Sequence, residues 1–312
     1  MIDMKTCIAV DIGGTKMLIA EVQEDGSIIN MKRYLTGEST REEIVQKVIY
    51  GVREYEEEIG WKNGSRPVQM GIGINGIVDP VNGIWKKLKT GEVDVALVER
   101  MEKEFGLKCY IDNDVKSTVI AENKFGAGKG CKDMVYINIG TGLAAGIIAN
   151  GKLIRGTDGF AGEVGFMNFT GGKGARIELH ASGMGMGHQT KELIGQYPDS
   201  LLKEKAGGVV FGWDVFEMAD KGDELANRIL DDMVGMTALL ISNLTCVLSP
   251  EIVILGGGLI TNGRLLDRII DEVMPKAKQH LEKGVVLTKL DPAYAGLMGA
   301  AAIGLGYQEE YS

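Results

Sequence analysis

Two glycine-containing turns carry residue types that can bind a polyphosphate. The first is Val10-Asp11-Ile12-Gly13-Gly14-Thr15-Lys16 and the second is Ile139-Gly140-Thr141-Gly142, and each lies between two apolar runs typical of strands. Because glycine has no Cβ, a phosphate can lie directly against the backbone N–H groups of such a turn. Two turns of this kind facing each other could hold one nucleotide. For either turn alone, the alternative is a purely structural hairpin.

The first turn also offers side chains for a metal ion and for phosphate. Asp11 stands at the end of its predicted strand, where a carboxylate can meet a hydrated Mg²⁺ ion. Thr15 and Lys16 follow, and their hydroxyl and ammonium groups can donate hydrogen bonds to phosphate oxygens. The turn is not a Walker motif, because the lysine of that motif opens a helix.

Two later segments place polar groups or glycines at strand ends. A strand predicted at 107–111 leads into Asp112-Asn113-Asp114, at the carboxyl end where α/β sheets bind ligands. Asp114 also has a purely structural interpretation, because an acidic residue before a helix can cap it. A strand predicted at 251–255 runs into Gly256-Gly257-Gly258 and a helix, which would present N–H groups to adenosine or an α-phosphate. The alternative there is a tight turn between strand and helix.

The elements that must position these residues follow from hydrophobic periodicity. Residues 156–187 are glycine-rich and are predicted as loops with one short helix near 176–182. The strands after each glycine turn come in the same order, which predicts a duplicated α/β topology without a sequence repeat. Strands are predicted at 6–12, 17–22, 27–34, 68–74, 107–111, 133–139, 143–149, 152–155, 251–255 and 285–287, and helices at 41–60, 93–105, 115–125, 224–248, 262–280 and 294–307.

Composition indicates an acidic, glycine-rich protein of about two domains. The chain has 312 residues, a formal net charge of -9 and 45 glycines, which is about twice the ordinary glycine usage. The charge is spread without a basic block, so we expect no nucleic-acid binding. The sequence shows no secretory signal pattern and no apolar run near the roughly 18 residues of a membrane span, so we expect a cytoplasmic protein without a membrane partner. Its four scattered cysteines are interpreted as buried thiols.

In this order, the motifs resemble the actin, sugar kinase and Hsp70 superfamily and, more closely, the ROK family of bacterial sugar kinases and repressors, over about residues 5–305. The resemblance implies an α/β fold with two ribonuclease H-like (actin-like ATPase) domains and an interdomain cleft. Residues 1–115 with 296–312 would form the first domain and residues 116–295 the second. The matching motifs are Asp11–Lys16 and Gly140–Gly142 for phosphate, Gly71–Asp79 for the G-x-G-x-x-G-x-V-D segment, Asn113-Asp114 for the catalytic pair and Gly159–Gly165 for the sugar loop.

The resemblance also implies an activity, the ATP-dependent phosphorylation of a hexose or hexose derivative at its 6-hydroxyl. Glucose, an N-acetylhexosamine such as N-acetylmannosamine, and a glycoside are the candidate substrates. Asp114 would be the general base, and phosphoryl transfer otherwise needs mainly alignment, Mg²⁺ and electrostatic stabilisation. The implied sugar ligands are Asn75, Gly76, Asn113, Glu163 and Glu178, and the implied ATP and Mg²⁺ residues are Asp11, Gly13, Gly14, Thr15, Lys16, Gly140, Thr141, Gly142, Gly256, Gly257 and Gly258. The family's habit suggests a homodimer.

The sequence departs from the family pattern around the sugar loop. Phe166 stands where the family has a histidine that contacts sugar and binds zinc, and no cysteine occurs between Cys131 and Cys246. A structural zinc site needs about four N or S ligands, so we predict no zinc. The aromatic residue predicts tolerance of a bulkier group near the sugar 1- or 2-hydroxyl. The segment Trp85–Gly91 is also altered. We expect apolar packing to hold the loop instead, through Met167, Phe169, Ile177 and Leu179.

Four other functions compete with a kinase. The repressors of the family carry a helix-turn-helix ahead of the first strand, and we expect none here because that strand starts by residue 6. A sugar-binding regulator without catalysis is the main alternative. Activators of radical dehydratases hold an iron–sulfur cluster through cysteines, which the scattered thiols do not favour. Filament-forming actin relatives are longer.

Overall fold

The structure of the protein is a computed structural model that describes residues 4–62, 64, 66–87, 93–169 and 176–311. Residues 88–91 of the altered segment Trp85–Gly91 lie outside the described residues. The chain separates into two units. The first contains the residues up to Gly130, the segment Gly151–Ala161 and the residues from Lys289 onward, and the second contains Cys131–Asn150 and Gly162–Thr288.

The first unit begins with a three-stranded antiparallel run and continues with alternating helices and strands. Its first helix starts at a capping box, in which Thr40 accepts a hydrogen bond from the Glu43 N–H and the Glu43 carboxylate accepts one from the Thr40 N–H. In chain order the elements are β1 (Thr6–Ile12), β2 (Lys16–Gln23), β3 (Ile28–Leu35), α1 (Arg41–Glu58), β4 (Gln69–Ile74), β5 (Val78–Asp79), β6 (Ile84–Trp85), β7 (Val95–Ala96), α2 (Leu97–Phe105), β8 (Lys108–Asn113) and α3 (Asp114–Lys124).

The main sheet of the first unit has the order β3-β2-β1-β4-β8. Strands β1, β4 and β8 are parallel, so their carboxyl ends lie at one edge. The register places Asp11 beside Gly73 and Gly73 beside Asp112, with Asn113 beside Ile74 at the next position. The polar residues predicted at two strand ends therefore share one edge of one sheet. Strands β5, β6 and β7 form a small separate sheet that was not predicted.

The remaining chain supplies the second unit and returns to the first. Strand β11 (Lys152–Leu153) and helix α10 (Ala295–Gly304) belong to the first unit, and short 3-10 helices occur at Val164–Phe166, Ile177–Leu179, Ile194–Gln196 and Tyr307–Tyr311. In chain order the other elements are β9 (Met134–Ile139), β10 (Leu143–Ala149), β11 (Lys152–Leu153), α4 (Gly183–Leu193), α5 (Lys203–Ala206), α6 (Gly212–Asp220), α7 (Glu224–Leu248), β12 (Ile252–Gly256), α8 (Leu266–Glu272), α9 (Pro275–Lys278), β13 (Val285–Leu287) and α10 (Ala295–Gly304).

The second unit has its own sheet, which again combines an antiparallel hairpin with parallel strands. Its strands lie in the order β10-β9-β12-β13, with β9 antiparallel to β10 and parallel to β12. Helices α4, α6 and α7 contribute residues to the apolar core on this sheet, among them Met186, Val215 and Ile229. Each unit thus has a mixed sheet that opens with a glycine-turn hairpin, which confirms the predicted α/β fold class.

Helix α10 explains why the first unit extends beyond the expected boundary at residue 115. A Cβ at Gly299 would overlap the backbone of α3, and a Cβ at Gly71 would overlap the carbonyl oxygen of Ala300. The small residues of α10 therefore let α3 and β4 approach it closely. This packing keeps α3 in the first unit, whereas the sequence analysis assigned residues 116–295 to the second domain.

Helix α7 alone, among the described helices, is long and apolar enough to cross a membrane by length and composition. This differs from the expectation that no apolar run approaches that length. It is the core helix of the second unit, since 61% of its most apolar window is buried inside the protein. Asp231 and Asp232 lie mid-helix on its polar side, and Asp223 caps its start by accepting from the Ala226 N–H. An amphipathic core helix accounts for its composition.

Candidate functional site

The first glycine turn is closed by the hydrogen bond from the Gly13 N–H to the Lys16 carbonyl oxygen, 2.9 Å. Thr36 holds the turn from behind, because its side chain donates to the Gly13 carbonyl at 3.0 Å and its N–H donates to the Thr15 carbonyl at 3.2 Å. Gly14 and Thr15 are exposed, and a Cβ at Gly14 would meet nothing within 4 Å. Close packing therefore does not explain the glycine at position 14. The space beside Gly14 is open and can be occupied by a ligand.

Asp11 lies half-buried at the strand end below this turn. Helix α10 begins against it, because a Cβ at Gly296 would overlap the Asp11 carboxyl group. Burial and, to a smaller extent, the charge of Asp114 raise the pKa of Asp11 to about 7, while Lys16 opposes the shift. Because burial and the Asp114 charge disfavour the ionised form of Asp11, a hydrated cation beside it would stabilise the carboxylate. The Lys16 ammonium group donates to the Ala293 carbonyl at 3.4 Å.

Asn113 and Asp114 have different roles at the start of α3. The sequence allowed Asp114 to be either the helix cap or the general base. The Asn113 side-chain oxygen accepts hydrogen bonds from the N–H groups of Val115 and Lys116, each at 3.1 Å, so Asn113 is the N-cap of α3. Its amide donates to the Gly76 carbonyl at 3.1 Å and to Asp114 Oδ1 at 3.0 Å. Asp114 is therefore not the helix cap, and its carboxylate is oriented by Asn113.

The Asp114 carboxyl group sits in a low-dielectric position with one oxygen engaged. Its Oδ1 accepts from the Val115 N–H at 3.0 Å in addition to the Asn113 amide. Burial raises the pKa of Asp114, while the bond from Val115, the Lys116 charge and the Asn113 amide oppose the shift. Because both of these bonds end on Oδ1, Oδ2 is the oxygen available to take a proton.

A cavity of about 590 Å³ opens beside this strand end. Asn113 and Lys116 form one side, and Asp79, Lys86, Arg155 and Asp158 contribute charged groups to the rest. Gly76, at φ +105°, turns the chain so that its carbonyl meets Asn113, and Asn75 beside it is exposed. The cavity lining is close to charge balance, with hydrogen-bond donors and acceptors on all sides.

Arg155 and Asp112 are residues that the sequence analysis did not assign to the site. The two guanidinium Nη atoms lie 2.7 Å and 2.6 Å from the two oxygens of Asp112, whose side chain is 2% exposed. The residues are 43 positions apart. The one sequence signal was the position of Asp112 beside Asn113-Asp114, and nothing along the chain indicated its partner.

The second glycine turn lies at the mouth of an apolar cavity of about 680 Å³ in the second unit. Gly140 and Thr141 line this cavity, and Gly140 closes the turn by donating to the Gly142 carbonyl at 3.0 Å. Helix α4 begins against the turn, because the N–H groups of Gly183 and Met184 donate to the carbonyls of Gly140 and Thr141. A Cβ at Gly142 would meet nothing within 4 Å.

The triple glycine joins the same cavity, but not through a helix N-terminus as predicted. After β12 the chain makes turns until α8 begins at Leu266. Side chains at Gly256 and Gly257 would overlap the Tyr136 ring and the Ile139 backbone, so these two glycines serve close packing on β9. Gly258 lines the cavity and a Cβ there would meet nothing within 4 Å.

Two aromatic rings form the far wall of this cavity. Phe211 and Trp213 stack with centroids 4.4 Å apart and planes 13° from parallel. Both remain exposed, Trp213 at 63% of its surface. Exposed stacked rings beside a phosphate-type turn are suited to a flat heteroaromatic ligand.

Glu163 and Glu178 lie on adjacent turns of the second unit. Glu163 immediately precedes the 3-10 helix Val164–Phe166, and Glu178 is the central residue of Ile177–Leu179. Gly165 lets the turn that follows Glu163 lie close to Glu178, since a Cβ at Gly165 would be 3.0 Å from Glu178 Oε2. Both glutamates are half-buried, and carboxylate oxygens are acceptors for hydroxyl donors.

The altered loop is held by mixed contacts rather than by apolar packing alone. Ile177 is 1% exposed and Phe169 packs on the core, but Met167 is 38% exposed. His180 pairs with Asp232 and meets the edge of Phe169 with centroids 5.0 Å apart. Arg176 lies 5.1 Å above the exposed Phe166 ring. Within the described residues, no group of three or more His, Cys, Asp or Glu could hold a metal ion.

The cysteines are not all buried as expected. Cys7, Cys109 and Cys131 are buried, and burial raises the pKa of the Cys7 and Cys109 thiols well above the ordinary range. Cys246, on the outer face of α7, is exposed. All four are free thiols.

Comparison with curated proteins finds relatives along the whole chain. The glucokinase of Thermotoga maritima is 30% identical over 315 residues, covering 95% of this chain and 96% of that protein. The bifunctional enzyme NanE/NanK of Brucella suis is 30% identical over 305 residues, covering 96% of this chain and 53% of that protein. The xylose repressor of Caldicellulosiruptor bescii is 28% identical over 216 residues, covering 66% of this chain and 54% of that protein.

Solved structures and family matching agree with these relatives. A ROK family glucokinase from Streptomyces griseus, in complex with glucose and AMPPNP, superposes with a TM-score of 0.76 at 28% identity, covering 96% of this chain and 99% of that chain. The ROK family description matches residues 7–306. Since this range includes both glycine turns and the Asn113-Asp114 strand end, and confirms the resemblance seen in the sequence, the chain belongs to the ROK family.

Proposed function

We propose that this protein is a kinase that transfers the γ-phosphoryl group of ATP to the 6-hydroxyl of a hexose or hexose derivative. The observation that carries the proposal is the pair of carboxyl groups at one sheet edge, Asp11 and Asp114, each with a raised pKa. One suits a hydrated Mg²⁺ ion, and the other suits a general base. Raised pKa values of two carboxyl groups close enough for the charge of one to act on the other are typical of catalytic sites.

In this proposal Asp114 Oδ2 takes the proton of the attacking hydroxyl. Asn113 holds Oδ1 at 3.0 Å and thereby fixes the direction of the second oxygen. A carboxylate with a raised pKa is a stronger base than one in water. The hydroxyl oxygen forms a bond to the γ-phosphorus while the bond from phosphorus to the bridging oxygen of ADP breaks.

The first unit also supplies groups for the phosphates and for Mg²⁺. Asp11 would bind Mg²⁺ through water, and the ion would neutralise charge on the phosphate oxygens. Gly13, Gly14, Thr15 and Lys16 would present N–H, hydroxyl and ammonium donors to those oxygens. The open position of Gly14 supports this assignment, because neither packing nor a positive φ requires glycine there.

The second unit supplies a nucleotide cavity in this proposal. Gly140, Thr141 and Gly142 would bind phosphate, and Gly258 would lie against the nucleoside. The cavity of about 680 Å³ that contains Gly140, Thr141 and Gly258 is large enough for a nucleoside. Gly256 and Gly257, which serve packing, would contribute only by setting the position of Gly258.

The substrate is proposed to be an uncharged sugar with a substituent near its anomeric end. The 590 Å³ cavity is lined by three cationic side chains and two carboxylates, namely Lys86, Lys116, Arg155, Asp79 and Asp158. Because Arg155 is already paired with Asp112, the remaining charges are near balance, which supports a polyhydroxyl ligand rather than an anion. Asn75, Gly76 and Asn113 would bind the reacting end, and Glu163 and Glu178 the other. Phe166, exposed at 49%, offers an aromatic face to an N-acetyl or glycosidic group.

A substrate panel tests this function. Purified protein is incubated with MgATP and glucose, N-acetylmannosamine, N-acetylglucosamine or disaccharides, and sugar-dependent ADP release is measured together with the site of phosphorylation. We expect turnover that the Asp114→Asn variant lacks. Product phosphorylated at another hydroxyl, or equal ADP release without sugar, contradicts the proposal. Strict preference for unsubstituted glucose contradicts the role of Phe166.

The alternative is a sugar-binding regulator without catalysis, which the similarity to a repressor keeps open. The intact Asp11, Asn113 and Asp114 favour the kinase, because sugar binding alone does not require the Mg²⁺ carboxylate. Saturable sugar binding by calorimetry without any ADP release would favour the regulator. We further propose a homodimer, which light scattering of the purified protein can test.

A further inference from the structure

The pair formed by Arg155 and Asp112 is a largely buried arginine–carboxylate contact next to the candidate base. The Asp112 side chain is 2% exposed and the Arg155 side chain 27%. Arg155 Nη1 donates a hydrogen bond to Asp112 Oδ1 at 2.7 Å, and Nη2 lies 2.6 Å from Oδ2 as an ion-pair contact without hydrogen-bond geometry. A buried carboxylate needs such a partner, and one charge-assisted hydrogen bond with a second close ionic contact restrains the orientation of the Asp112 carboxylate.

A short chain of hydrogen bonds leads from this pair to the candidate base. Asp112 Oδ1 accepts from the Asn113 N–H at 2.8 Å as well as from Arg155. The Asn113 side chain caps α3 and holds Asp114 Oδ1 at 3.0 Å. Arg155 thus reaches Asp114 through two intermediate residues. A shift of the Asp112 carboxylate would change the backbone position from which both Asn113 and Asp114 extend.

Arg155 also begins one wall of the 590 Å³ cavity. Its carbonyl accepts from the Ala161 N–H at 3.2 Å, which closes the loop that follows. Gly156 and Gly159 line the cavity, and Gly159, at φ +85°, lies so close to β5 that a Cβ would be 3.1 Å from the Val78 carbonyl oxygen. The same arginine therefore ties this loop to the strand end that carries the base.

We propose that Arg155 is a positioning residue for phosphoryl transfer, which acts through Asp112 to hold Asn113 and Asp114 in register with the sugar cavity. This inference rests on the proposed kinase function. Its consequence is that the sugar-dependent kinetic constants depend on Arg155 while the affinity for ATP does not. Misplacement of a catalytic group by about 1 Å can lower a rate about 100-fold.

The test compares Arg155→Gln, Arg155→Lys and the double variant Asp112→Asn/Arg155→Gln. We expect Arg155→Gln to lower kcat about 10-fold or more and to raise the KM for sugar, with the KM for ATP unchanged. Arg155→Lys should keep an intermediate activity, because an ammonium group cannot match two carboxylate oxygens in one plane. Equal losses in the KM values for sugar and ATP would overturn the proposal.

The double variant separates positioning from simple stability. Arg155→Gln leaves the Asp112 carboxylate buried without its partner, so the melting temperature should fall. Asp112→Asn removes that charge, and the double variant should regain most of the melting temperature but not kcat. If kcat recovers together with the melting temperature, Arg155 is only structural and the proposal is wrong.

Arg100→Gln is the matched control. Arg100 also contacts both oxygens of a carboxylate, that of Glu42, at 2.5 Å and 2.7 Å, but on the exposed faces of α1 and α2. This variant should leave kcat, both KM values and the melting temperature close to those of the wild type.

Hydrogen exchange gives a readout that does not depend on turnover. In Arg155→Gln we expect faster exchange of the Val115 and Lys116 N–H groups, which Asn113 caps, and of the Ala161 N–H. Unchanged protection at these amides overturns the positioning role even if the wild type phosphorylates every sugar tested. Conversely, absence of kinase activity with changed protection would reject the proposed function but retain the coupling of Arg155 to the strand end.

Discussion

The amide of Asn113 donates to Oδ1 of Asp114 at 3.0 Å while the carbonyl oxygen of the same side chain caps the helix that Asp114 opens. A single asparagine therefore stabilises the helix start and orients the carboxylate beside it. The carboxylate of Asp114 can therefore be removed while the cap is kept, whereas removal of the Asn113 side chain removes both the cap and the hydrogen bond that orients Asp114.

Asp114→Asn should abolish phosphoryl transfer without unfolding the protein. The amide has no basic oxygen, and removal of a general base lowers turnover by about 100-fold to 10,000-fold. The cap on α3 is retained and the change removes a carboxylate whose pKa is raised by burial, so we expect a melting temperature at or above that of the wild type and unchanged ATP binding by calorimetry. Asn113→Ala is the counterpart, because it should cost about 1 kcal/mol of unfolding free energy through the lost cap. Near-normal turnover of Asp114→Asn would contradict its role as base.

Ionisation of Asp11 should make the protein less stable as pH rises. Burial raises its pKa to about 7, whereas an unfolded chain ionises aspartate near pH ~4. Between these values the folded state binds more protons than the unfolded state, so the free energy of unfolding falls with pH across this window. Asp11→Asn should therefore gain stability relative to the wild type as pH rises from ~4 to ~8.

Thermal unfolding of both proteins across this pH range measures the effect. Asp25→Asn serves as the control, because Asp25 is exposed and hydrogen bonds from Ser27 lower its pKa. That variant should show no gain with rising pH. A stability difference between Asp11→Asn and the wild type that stays constant or shrinks with pH would show that Asp11 is not held in its protonated form by folding.

Much of the fold was predictable because its elements have a regular hydrophobic period. Helix α7 occupies Glu224–Leu248 and β13 Val285–Leu287, as predicted, and both hairpins lie within a residue or so of their expected bounds. The helix predicted at 262–280 is instead divided into α8 and α9. Pro275 begins α9, and a proline has no N–H to continue a helix from the preceding turn.

Helix α4 was missed because its sequence opposes a helix locally. It begins Gly-Met-Gly-Met-Gly, and each glycine in a helix costs about 1 kcal/mol relative to alanine. Tertiary contacts offset this cost: Ser182 caps the start, and a Cβ at Gly185 or Gly187 would overlap the backbone of Leu179 or Val210. These glycines permit close packing that no period along the chain reveals.

The parts of the site that are contiguous in sequence could be predicted, whereas contacts between residues distant along the chain could not. The glycine turns and the Asp112-Asn113-Asp114 strand end are contiguous motifs. Arg155 lies 43 residues from its partner Asp112, and the choice of Asn113 as the cap depends on side-chain direction. A single sequence contains no signal for either relationship.

Gly257→Ala should lower the stability of the protein, whereas Gly258→Ala should weaken its binding of ATP. Gly257 has φ +93° and a side chain there would overlap the Ile139 backbone, so Gly257→Ala should cost about 2 kcal/mol or more of unfolding free energy. Gly258 has open space, so Gly258→Ala should fold like the wild type but raise the KM for ATP several-fold. Denaturant unfolding and ATP kinetics measure the two effects. A Gly258→Ala variant with unchanged KM would remove Gly258 from the nucleotide site.

The loop that lacks the family's cysteines should keep its structure without zinc. His180 pairs with the half-buried Asp232 and contacts Phe169, so His180→Ala should cost about 1 kcal/mol of unfolding free energy. His188 is the matched control, because it pairs with Glu192 on an exposed helix face, and His188→Ala should change stability by less than about 0.5 kcal/mol. A metal chelator should not lower the melting temperature, since the loop contacts that we identify are side-chain contacts. Elemental analysis that finds one zinc per chain, or a chelator that destabilises the protein as much as His180→Ala does, would show instead that a metal holds this loop.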